Sequence, residues 1–197
     1  MPDTLLPRKT PRQGRSRASY EAILMAAAQV LERGGMAALN TNLIAEKAGV
    51  SVGTLYQYFP NKETIAAELV RRLRAEMRAD ILQAVAATQG SNIHDTALAM
   101  VRASIKHHTR APGLVRVLEA AEAELPLDEE ARHAKAQVHK DLVAVLVAHD
   151  IDRPEIASVD LAAMAEGMVH AAIQRGEEDI DDITARVFRA VCGYLNI

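Results

Sequence analysis

Aromatic residues are scarce in this 197-residue chain, which has four Tyr, two Phe and no Trp. Glycine and proline number only ten and seven, while Ala, Leu and Val are abundant, and this balance favours helix over sheet. The single cysteine, Cys192, excludes an internal disulfide bond. No apolar run reaches about 18 residues, and the basic N-terminus lacks an apolar core, so we expect neither a membrane span nor a secretory signal. These features are typical of a cytoplasmic protein.

Charge is distributed unevenly along the chain, although the formal net charge is only −3. Residues 1–62 carry eight Lys or Arg and four Asp or Glu, a net charge of +4, whereas residues 63–197 carry fifteen and twenty-two, a net charge of −7. The N-terminal part therefore suits a polyanionic partner. We interpret residues 1–19 as a flexible basic arm, either simply solvated or contacting DNA phosphates or the minor groove through Arg12, Arg15 or Arg17.

Apolar residues recur at three- and four-residue spacing through most of the chain, which predicts helices. Capping and helix-breaking residues divide the pattern into nine helices with no convincing strand, so we predict an all-α fold. The first helix is expected from Tyr20 to Gly34-Gly35, and the fourth continues to about Thr88. Asp152, with Glu155 three residues later, is predicted to cap the eighth helix.

Two short helices are predicted between positions 40 and 59. Asn40 and Ser51 can accept hydrogen bonds at their N-termini, and Gly49 can form the turn between them. Two short helices joined by about three residues that include a glycine form a helix-turn-helix, whose second helix enters the DNA major groove. Pro60 ends the second helix, and Asn61 can cap the long helix that follows.

The second short helix holds half of the aromatic residues in the chain. Leu55 and Phe59 are four residues apart and are expected to pack on the first two helices. Thr54, Gln57 and Tyr58 are expected to project away from this packed face. A glutamine side chain can read adenine, and Thr and Val methyl groups suit the methyl group of thymine. The helix is therefore predicted to serve both the core and the DNA groove.

Glycine and lysine residues near this helix favour close approach to DNA. Gly53 lets the backbone come near a partner, although glycine costs about 1 kcal/mol of helix propensity relative to alanine. Lys62 begins the next helix, where its charge and the exposed N–H groups together can clamp a phosphate. Tyr56 and Tyr58 either contact DNA or pack as partly buried rings.

The stretch from Ile44 to Glu63, IAEKAGVSVGTLYQYFPNKE, resembles the signature of the TetR family of bacterial transcriptional regulators. That signature is roughly I-A-x-x-A-G-V-S-x-G-T-L-Y-x-Y-F-x-x-K-E, and nearly every fixed position is met without a gap. The resemblance covers residues from about 20 to 65, and the rest resembles the family only in its helix count and pattern. One departure is Asn42, where family members often have arginine, so a hydrogen bond from Asn42 would have to replace that contact.

The resemblance implies a nine-helix TetR-like fold, with a helix-turn-helix DNA-binding domain at 20–66 and a helical effector-binding and dimerisation domain at 67–197. It implies a homodimer in which the last two helices of each subunit form a four-helix interface. A small effector would release this repressor from a near-palindromic operator. The residues expected to contact the double-stranded operator are Asn40, Thr41, Asn42, Ser51, Val52, Gly53, Thr54, Tyr56, Gln57, Tyr58 and Lys62.

The effector pocket is expected among the C-terminal helices. His108 shares a helix face with Met100 and is the first candidate for a hydrogen bond to the effector. Met164 and Met168 are expected in the core and dimer interface, with pocket lining as the alternative. Few aromatic residues follow residue 59, so we expect a mostly aliphatic pocket and an apolar or amphiphilic effector. The hypothesised effector-binding residues are Leu73, Met77, Met100, Ser104, His108, Leu118, Glu122, Met164 and Met168.

Other functional classes find less support in the sequence. All seven histidines lie beyond residue 93, but no two share a helix at four-residue spacing, and we predict no metal site. The sequence lacks a Gly-rich phosphate loop, a G-x-S-x-G elbow and an H-E-x-x-H motif, and we predict neither an enzyme nor a cofactor. Two alternatives remain open: a helical ligand-binding or sensor protein that no longer reads DNA, and an enzyme that uses the C-terminal cavity.

Overall fold

A computed structural model describes residues 5–9, 11 and 14–197 of the chain. These residues form nine helices, and no strand is assigned among them. The prediction of an all-α fold with nine helices is therefore confirmed. In chain order the helices are α1 (Gly14–Ala38), α2 (Thr41–Lys47), α3 (Val52–Tyr58), α4 (Lys62–Ala87), α5 (Ile93–Arg110), α6 (Pro112–Glu124), α7 (Asp128–Ala148), α8 (Pro154–Gln174) and α9 (Ile180–Leu195).

The first helix is longer at both ends than its apolar pattern indicates. It begins at Gly14, so residues 14–19 are helical, and the predicted arm is shorter than 1–19. Among the arm's candidate arginines, Arg15 and Arg17 lie exposed on the first turns of α1, and Arg12 lies outside the described residues. The predicted interruption at Gly34-Gly35 is present as a kink, with Gly35 at φ 63° and ψ −163°.

The start of α8 differs from the prediction. Its N-cap is Arg153, which makes no side-chain capping bond, and not Asp152. Pro154 occupies the first helical position, where its missing N–H costs nothing and its fixed φ suits the helix. The chain enters this proline through Arg153 in the left-handed region, with φ 50°. The predicted capping role of Asp152 was therefore wrong.

The chain divides into two compact units, whose border falls within α4. The first unit comprises the chain up to Arg74 together with Ala111–Asp128, and the second comprises Ala75–Arg110 and Glu129–Ile197. α6 belongs to the first unit, while the domain border at 66/67 stays a prediction. Leu118, Leu125 and Leu127, in and just after α6, are buried in the same core as α1 to α3.

The core of the first unit centres on α1. Ile23, Leu31 and Val30 on this helix are buried against Ile44 of α2 and Leu55 of α3. Apolar residues at three- and four-residue spacing thus place one stripe of α1 inside, as the sequence predicts.

One ion pair links the two long helices of the first unit. The Arg72 guanidinium of α4 donates hydrogen bonds of 2.5 and 2.9 Å to the two carboxylate oxygens of Glu21 on α1. It also lies over the ring of Tyr20, 5.5 Å from the centroid. The bidentate bond lowers the pKa of the Glu21 carboxyl below its ordinary value. Both side chains are partly exposed, so the pair orients the helices more than it stabilises them.

The core of the second unit is built by α5, α8 and α9, with Leu146 of α7. α9 packs against both α5 and α8, and Ile183 and Val187 on its inner face are almost fully buried. Asp179 caps the N-terminus of α9, because its carboxylate accepts a hydrogen bond of 2.9 Å from the main-chain N–H of Asp182.

The outer face of α8 is apolar and exposed. Ile156 and Val159 are 56% and 51% exposed. Among the described residues, α8 is the one helix whose length and apolar composition would allow it to cross a membrane. Of its most apolar 18-residue segment, 28% is buried. Exposed Asp160 and Glu166 lie within that stretch, and charge is costly in hydrocarbon.

Candidate nucleic-acid interface

Two N-terminal caps define the helix-turn-helix. The Asn40 side-chain oxygen accepts hydrogen bonds from the main-chain N–H groups of Asn42 and Leu43, at 2.8 and 3.3 Å. The Ser51 hydroxyl oxygen accepts from the Thr54 N–H at 3.0 Å. Gly49 adopts φ 65° in the turn between α2 and α3, a conformation that glycine adopts without a steric penalty. Both predicted caps are confirmed.

The inner face of α3 attaches this helix to α1 and α2. Leu55 and the flanking Phe59 have no exposed surface, which confirms their predicted core role. The Phe59 ring stacks on Tyr20 of α1 with 4.9 Å between ring centroids. Because the core holds α3 from one side only, its opposite side remains available to a partner.

Tyr58 lies on the packed face, and the prediction that it projects away from that face was wrong. Its side chain is 6% exposed, and its ring meets the Tyr20 ring edge to face at 5.6 Å. Positions 55, 58 and 59 are separated by three and four residues, so they share one face of a helix. This spacing was visible in the sequence and would have placed Tyr58 inside.

The outer face of α3 exposes most of the other predicted DNA contacts. Val52 and Tyr56 are 37% and 39% exposed, and Gly53 and Gln57 are exposed as well. Thr54 is half-buried, and its hydroxyl lies 2.8 Å from the hydroxyl of Ser51. The structure thus brings these side chains together along one exposed surface, which we call the α3 outer face (Ser51, Val52, Gly53, Thr54, Tyr56 and Gln57).

A hydroxyl pair connects α2 to this outer face. The Thr41 and Tyr56 hydroxyl oxygens are 3.2 Å apart, within hydrogen-bonding distance. Asn40 and Asn42 are exposed beside Thr41. Because the Asn40 carbonyl oxygen accepts the two capping bonds, its side-chain NH₂ group remains to donate to a partner. Sequence spacing gave no signal for the contact between Thr41 and Tyr56.

Lys62 begins α4, as predicted, and is half-buried. Its ammonium nitrogen lies 3.5 Å from the main-chain oxygen of Met36, near the end of α1. Asn61 caps the same helix, because its side-chain oxygen accepts from the Thr64 N–H at 2.8 Å. The ammonium retains further donors, which can act together with the first N–H groups of α4 on an anion.

The residues hypothesised to bind an effector divide between the two units. Three of them lie in the first unit. Leu118 is buried in the core of that unit, and Leu73 packs against the same core. The carboxylate of Glu122 accepts a hydrogen bond of 3.2 Å from the Arg74 Nε. The other six lie in the second unit: Met77, Met100, Ser104, His108, Met164 and Met168. Of these six, His108 is buried, and Met164 and Met168 pack against the second core.

The second unit also contains an open groove of about 520 Å³. Three helices contribute to its walls: α4, α5 and α9. An ion pair crosses it, with the Lys106 ammonium 2.6 Å from the Asp80 carboxylate. The lining residues are Asp80, Gln83, Ala84, Ala87, Arg102, Ala103, Lys106, Ile180, Asp181 and Thr184. This set contains none of the nine hypothesised residues, because its charged, polar and small apolar side chains do not form a continuous apolar stripe in the sequence.

Histidine, cysteine and carboxylate side chains form no group of three or more that could hold a metal ion within the described part of the chain.

The fold and the outward-facing helix α3 define a helix-turn-helix protein of bacterial regulator type, and comparisons with known proteins agree. Residues 23–69 match the family described as bacterial regulatory proteins, tetR family. Residues 93–195, more than half of the chain, match the tetracyclin repressor-like C-terminal domain. The chain therefore belongs to the TetR family of transcriptional regulators, and the resemblance seen in the sequence is confirmed.

Individual relatives are similar over most of their length. The HTH-type transcriptional regulator BetI of Rhizobium meliloti (strain 1021) is 27% identical over 163 residues, which are 80% of this chain and 79% of BetI. A transcriptional regulator from Pseudomonas aeruginosa PAO1 has a TM-score of 0.75 at 16% identity, covering 94% of this chain and 91% of its own. SmeT, solved in complex with triclosan, has a TM-score of 0.65 at 20% identity, covering 88% and 91%. The two structural likenesses support the fold.

Proposed function

We propose that this regulator represses transcription by binding a near-palindromic operator as a homodimer, and that a small molecule bound by its second unit releases the DNA. The α3 outer face would enter the major groove, with Gln57 and Val52 at base edges. Tyr56, held by Thr41, and Lys62, at the start of α4, would bind phosphates on either side. The alternative of a sensor that no longer reads DNA predicts the same fold without an operator.

Gly53 is the observation that most directly supports DNA reading. A Cβ atom added at Gly53 would meet only the Ser51 hydroxyl oxygen, at 3.8 Å, among the described residues, so nothing in that part of the chain requires glycine there. Glycine nevertheless costs the short helix about 1 kcal/mol relative to alanine. Close approach of an external surface to the α3 backbone accounts for this residue, and the DNA major groove admits a helix in that way.

The homodimer would form through α8 and α9. Exposed Ile156 and Val159 on α8 and exposed Tyr194 on α9 offer apolar surface that the subunit itself does not cover. The Tyr194 hydroxyl donates a 2.6 Å hydrogen bond to the Asp160 carboxylate, which ties α9 to α8 beside that surface. A two-fold axis would present two α3 helices to half-sites about 34–36 Å apart.

The effector would bind in the second unit, which carries six of the hypothesised residues. Methionine side chains with buried His108 suit an apolar or amphiphilic molecule with one hydrogen-bonding group. The triclosan complex of SmeT provides a precedent within the same fold. α4 belongs to both units, so an effector that binds two arrangements of this helix with different affinity can alter DNA binding. Binding to an operator on the bacterial chromosome would place the protein in the cytoplasm.

Gel shifts on the DNA flanking the protein's own gene test the proposal. Repression through an operator predicts a sequence-specific shift whose affinity falls steeply with salt concentration, because each phosphate contact releases counterions. It also predicts at least about a thousandfold preference over unrelated DNA of equal length. A protein that shifts no DNA, or shifts every sequence equally, would favour the sensor alternative.

Substituting Gly53 with alanine is expected to separate stability from DNA binding. The free energy of unfolding should rise by up to about 1 kcal/mol, because alanine is the better helix former and its Cβ meets no clash. Operator affinity should fall at least about tenfold, because the methyl group holds the helix away from the bases. Thermal unfolding and fluorescence anisotropy measure the two effects. If the variant proves as stable as expected, weaker binding cannot be attributed to misfolding, and unchanged binding would contradict the proposed orientation of α3.

A further inference from the structure

The C-terminal end of α3 has main-chain acceptors without helical donors. In a continuing helix the carbonyl of Tyr56 would accept from the N–H of residue 60, but Pro60 has none. The carbonyl of Tyr58 would accept from residue 62, but the chain leaves the helix at Phe59, with φ −124° and ψ 119°. Both oxygens need donors from elsewhere in the protein or from water.

Arg8, about fifty positions earlier in the chain, supplies both donors. Its main-chain N–H donates to the Tyr58 oxygen at 2.7 Å, and its guanidinium donates to the Tyr56 oxygen at 3.2 Å. A cation at this place also interacts favourably with the negative end of the helix dipole, where Lys and Arg side chains commonly cap helices. Arg8 therefore caps the C-terminus of the helix that we place in the groove.

The segment that carries Arg8 is itself attached to the first unit. Leu5 is partly buried and packs against the first core. Its carbonyl oxygen accepts a 2.8 Å hydrogen bond from the guanidinium of Arg71 on α4. Residues 5–8 thus connect α4 to the end of α3, and we call them the strap. In the sequence these residues fall within the predicted flexible basic arm.

We propose that the strap positions α3 for DNA binding, and that Arg8 is a positioning residue whose charge is directed at helix carbonyls and not at phosphates. The DNA-binding part of this inference rests on the proposed function. The structural part, that the strap holds the last turn of α3, does not depend on it. The two parts can therefore fail separately.

Amide hydrogen exchange of the full-length protein without DNA tests the structural part. Arg8→Ala removes the guanidinium donor, and Leu5→Ala removes the apolar anchor but leaves every charge in place. We expect the amides of Tyr58 and Phe59 to exchange about three- to tenfold faster in both variants, which corresponds to the usual worth of a hydrogen bond. Lys9→Ala is the matched control, since Lys9 is exposed and adjacent to Arg8 but makes no hydrogen bond to α3. In this variant the amides of Tyr58 and Phe59 should exchange at the wild-type rate.

The salt dependence of operator binding separates positioning from direct phosphate contact. Arg8→Ala and Leu5→Ala should each weaken binding about three- to tenfold and keep the wild-type slope of log affinity against log salt. A residue that touches a phosphate would lower that slope by about one when it is removed. Circular dichroism verifies that each variant is folded.

Faster exchange in both strap variants, together with weaker binding at unchanged slope, supports the inference. Unchanged exchange in either variant, or a slope reduced by about one in Arg8→Ala, overturns it. If the wild-type protein binds no DNA, the proposed function fails, while the exchange measurement still shows whether the strap holds α3.

Discussion

Replacing Phe59 with alanine is expected to lower the free energy of unfolding by about 3–5 kcal/mol and to abolish operator binding. The Phe59 side chain has no exposed surface and stacks on Tyr20. Its removal leaves a cavity between α1 and α3 that the neighbouring rings can fill only in part. This loss is a large fraction of the free energy of unfolding of a typical domain. Urea unfolding followed by circular dichroism measures the change.

A second phenylalanine provides the control for this substitution. Phe188 in the second unit is half-buried and contacts the His94 ring edge to face, with 4.9 Å between the centroids. Phe188→Ala should lower the free energy of unfolding less than Phe59→Ala does, because folding buries less apolar surface of Phe188 than of Phe59. If Phe59→Ala costs less than about 1 kcal/mol, or less than Phe188→Ala, the described packing of α3 is incorrect.

Changing Gln57 to glutamate is expected to weaken operator binding by about a hundredfold with little change in stability. Gln57 is exposed on α3, so the protein itself tolerates the charge. At the DNA surface the substitution loses an amide donor and places a carboxylate among phosphates. A specific base contact is worth about 1–3 kcal/mol, and like-charge repulsion adds to that loss.

Gln137→Glu makes the same chemical change on an exposed position of α7 in the second unit. It should alter operator affinity less than about twofold, because Gln137 is not among the proposed DNA contacts and the charge of a single exposed side chain is screened at ordinary ionic strength. Fluorescence anisotropy with one labelled operator compares the two variants. Equal effects at both positions would show that net charge, and not a contact from α3, governs binding.

Local patterns in the sequence predicted most of the fold. The nine helices follow from apolar spacing, and the caps at Asn40 and Ser51 follow from a side chain that can reach the N–H groups two or three residues ahead. At Asp152 the same rule failed, because Pro154 fixed the helix start one residue later. Tyr58 lies three residues from Leu55, and this spacing places its ring on the packed face of α3 despite the DNA contact that was expected of it.

The contacts that orient the site could not be predicted in this way. The Arg8 guanidinium meets the Tyr56 oxygen across 48 positions, and the Thr41 hydroxyl meets that of Tyr56 across 15. Such pairs involve side chains from separate elements and leave no periodic trace. The groove between α4, α5 and α9 gives no signal in the sequence for a similar reason, since its mixture of charged, polar and small apolar residues resembles an ordinary solvated helix face.

The central claim is that α3 reads DNA as one of a symmetric pair. Selection of bound duplexes from a random pool by the wild-type protein, followed by sequencing, tests it most directly. We expect one enriched motif with two inverted half-sites whose centres are about 10 base pairs or a multiple of that apart, and we expect Gln57→Ala to relax the preference at one position of each half-site. A pool without enrichment, or a single motif without an inverted copy, would contradict the claim.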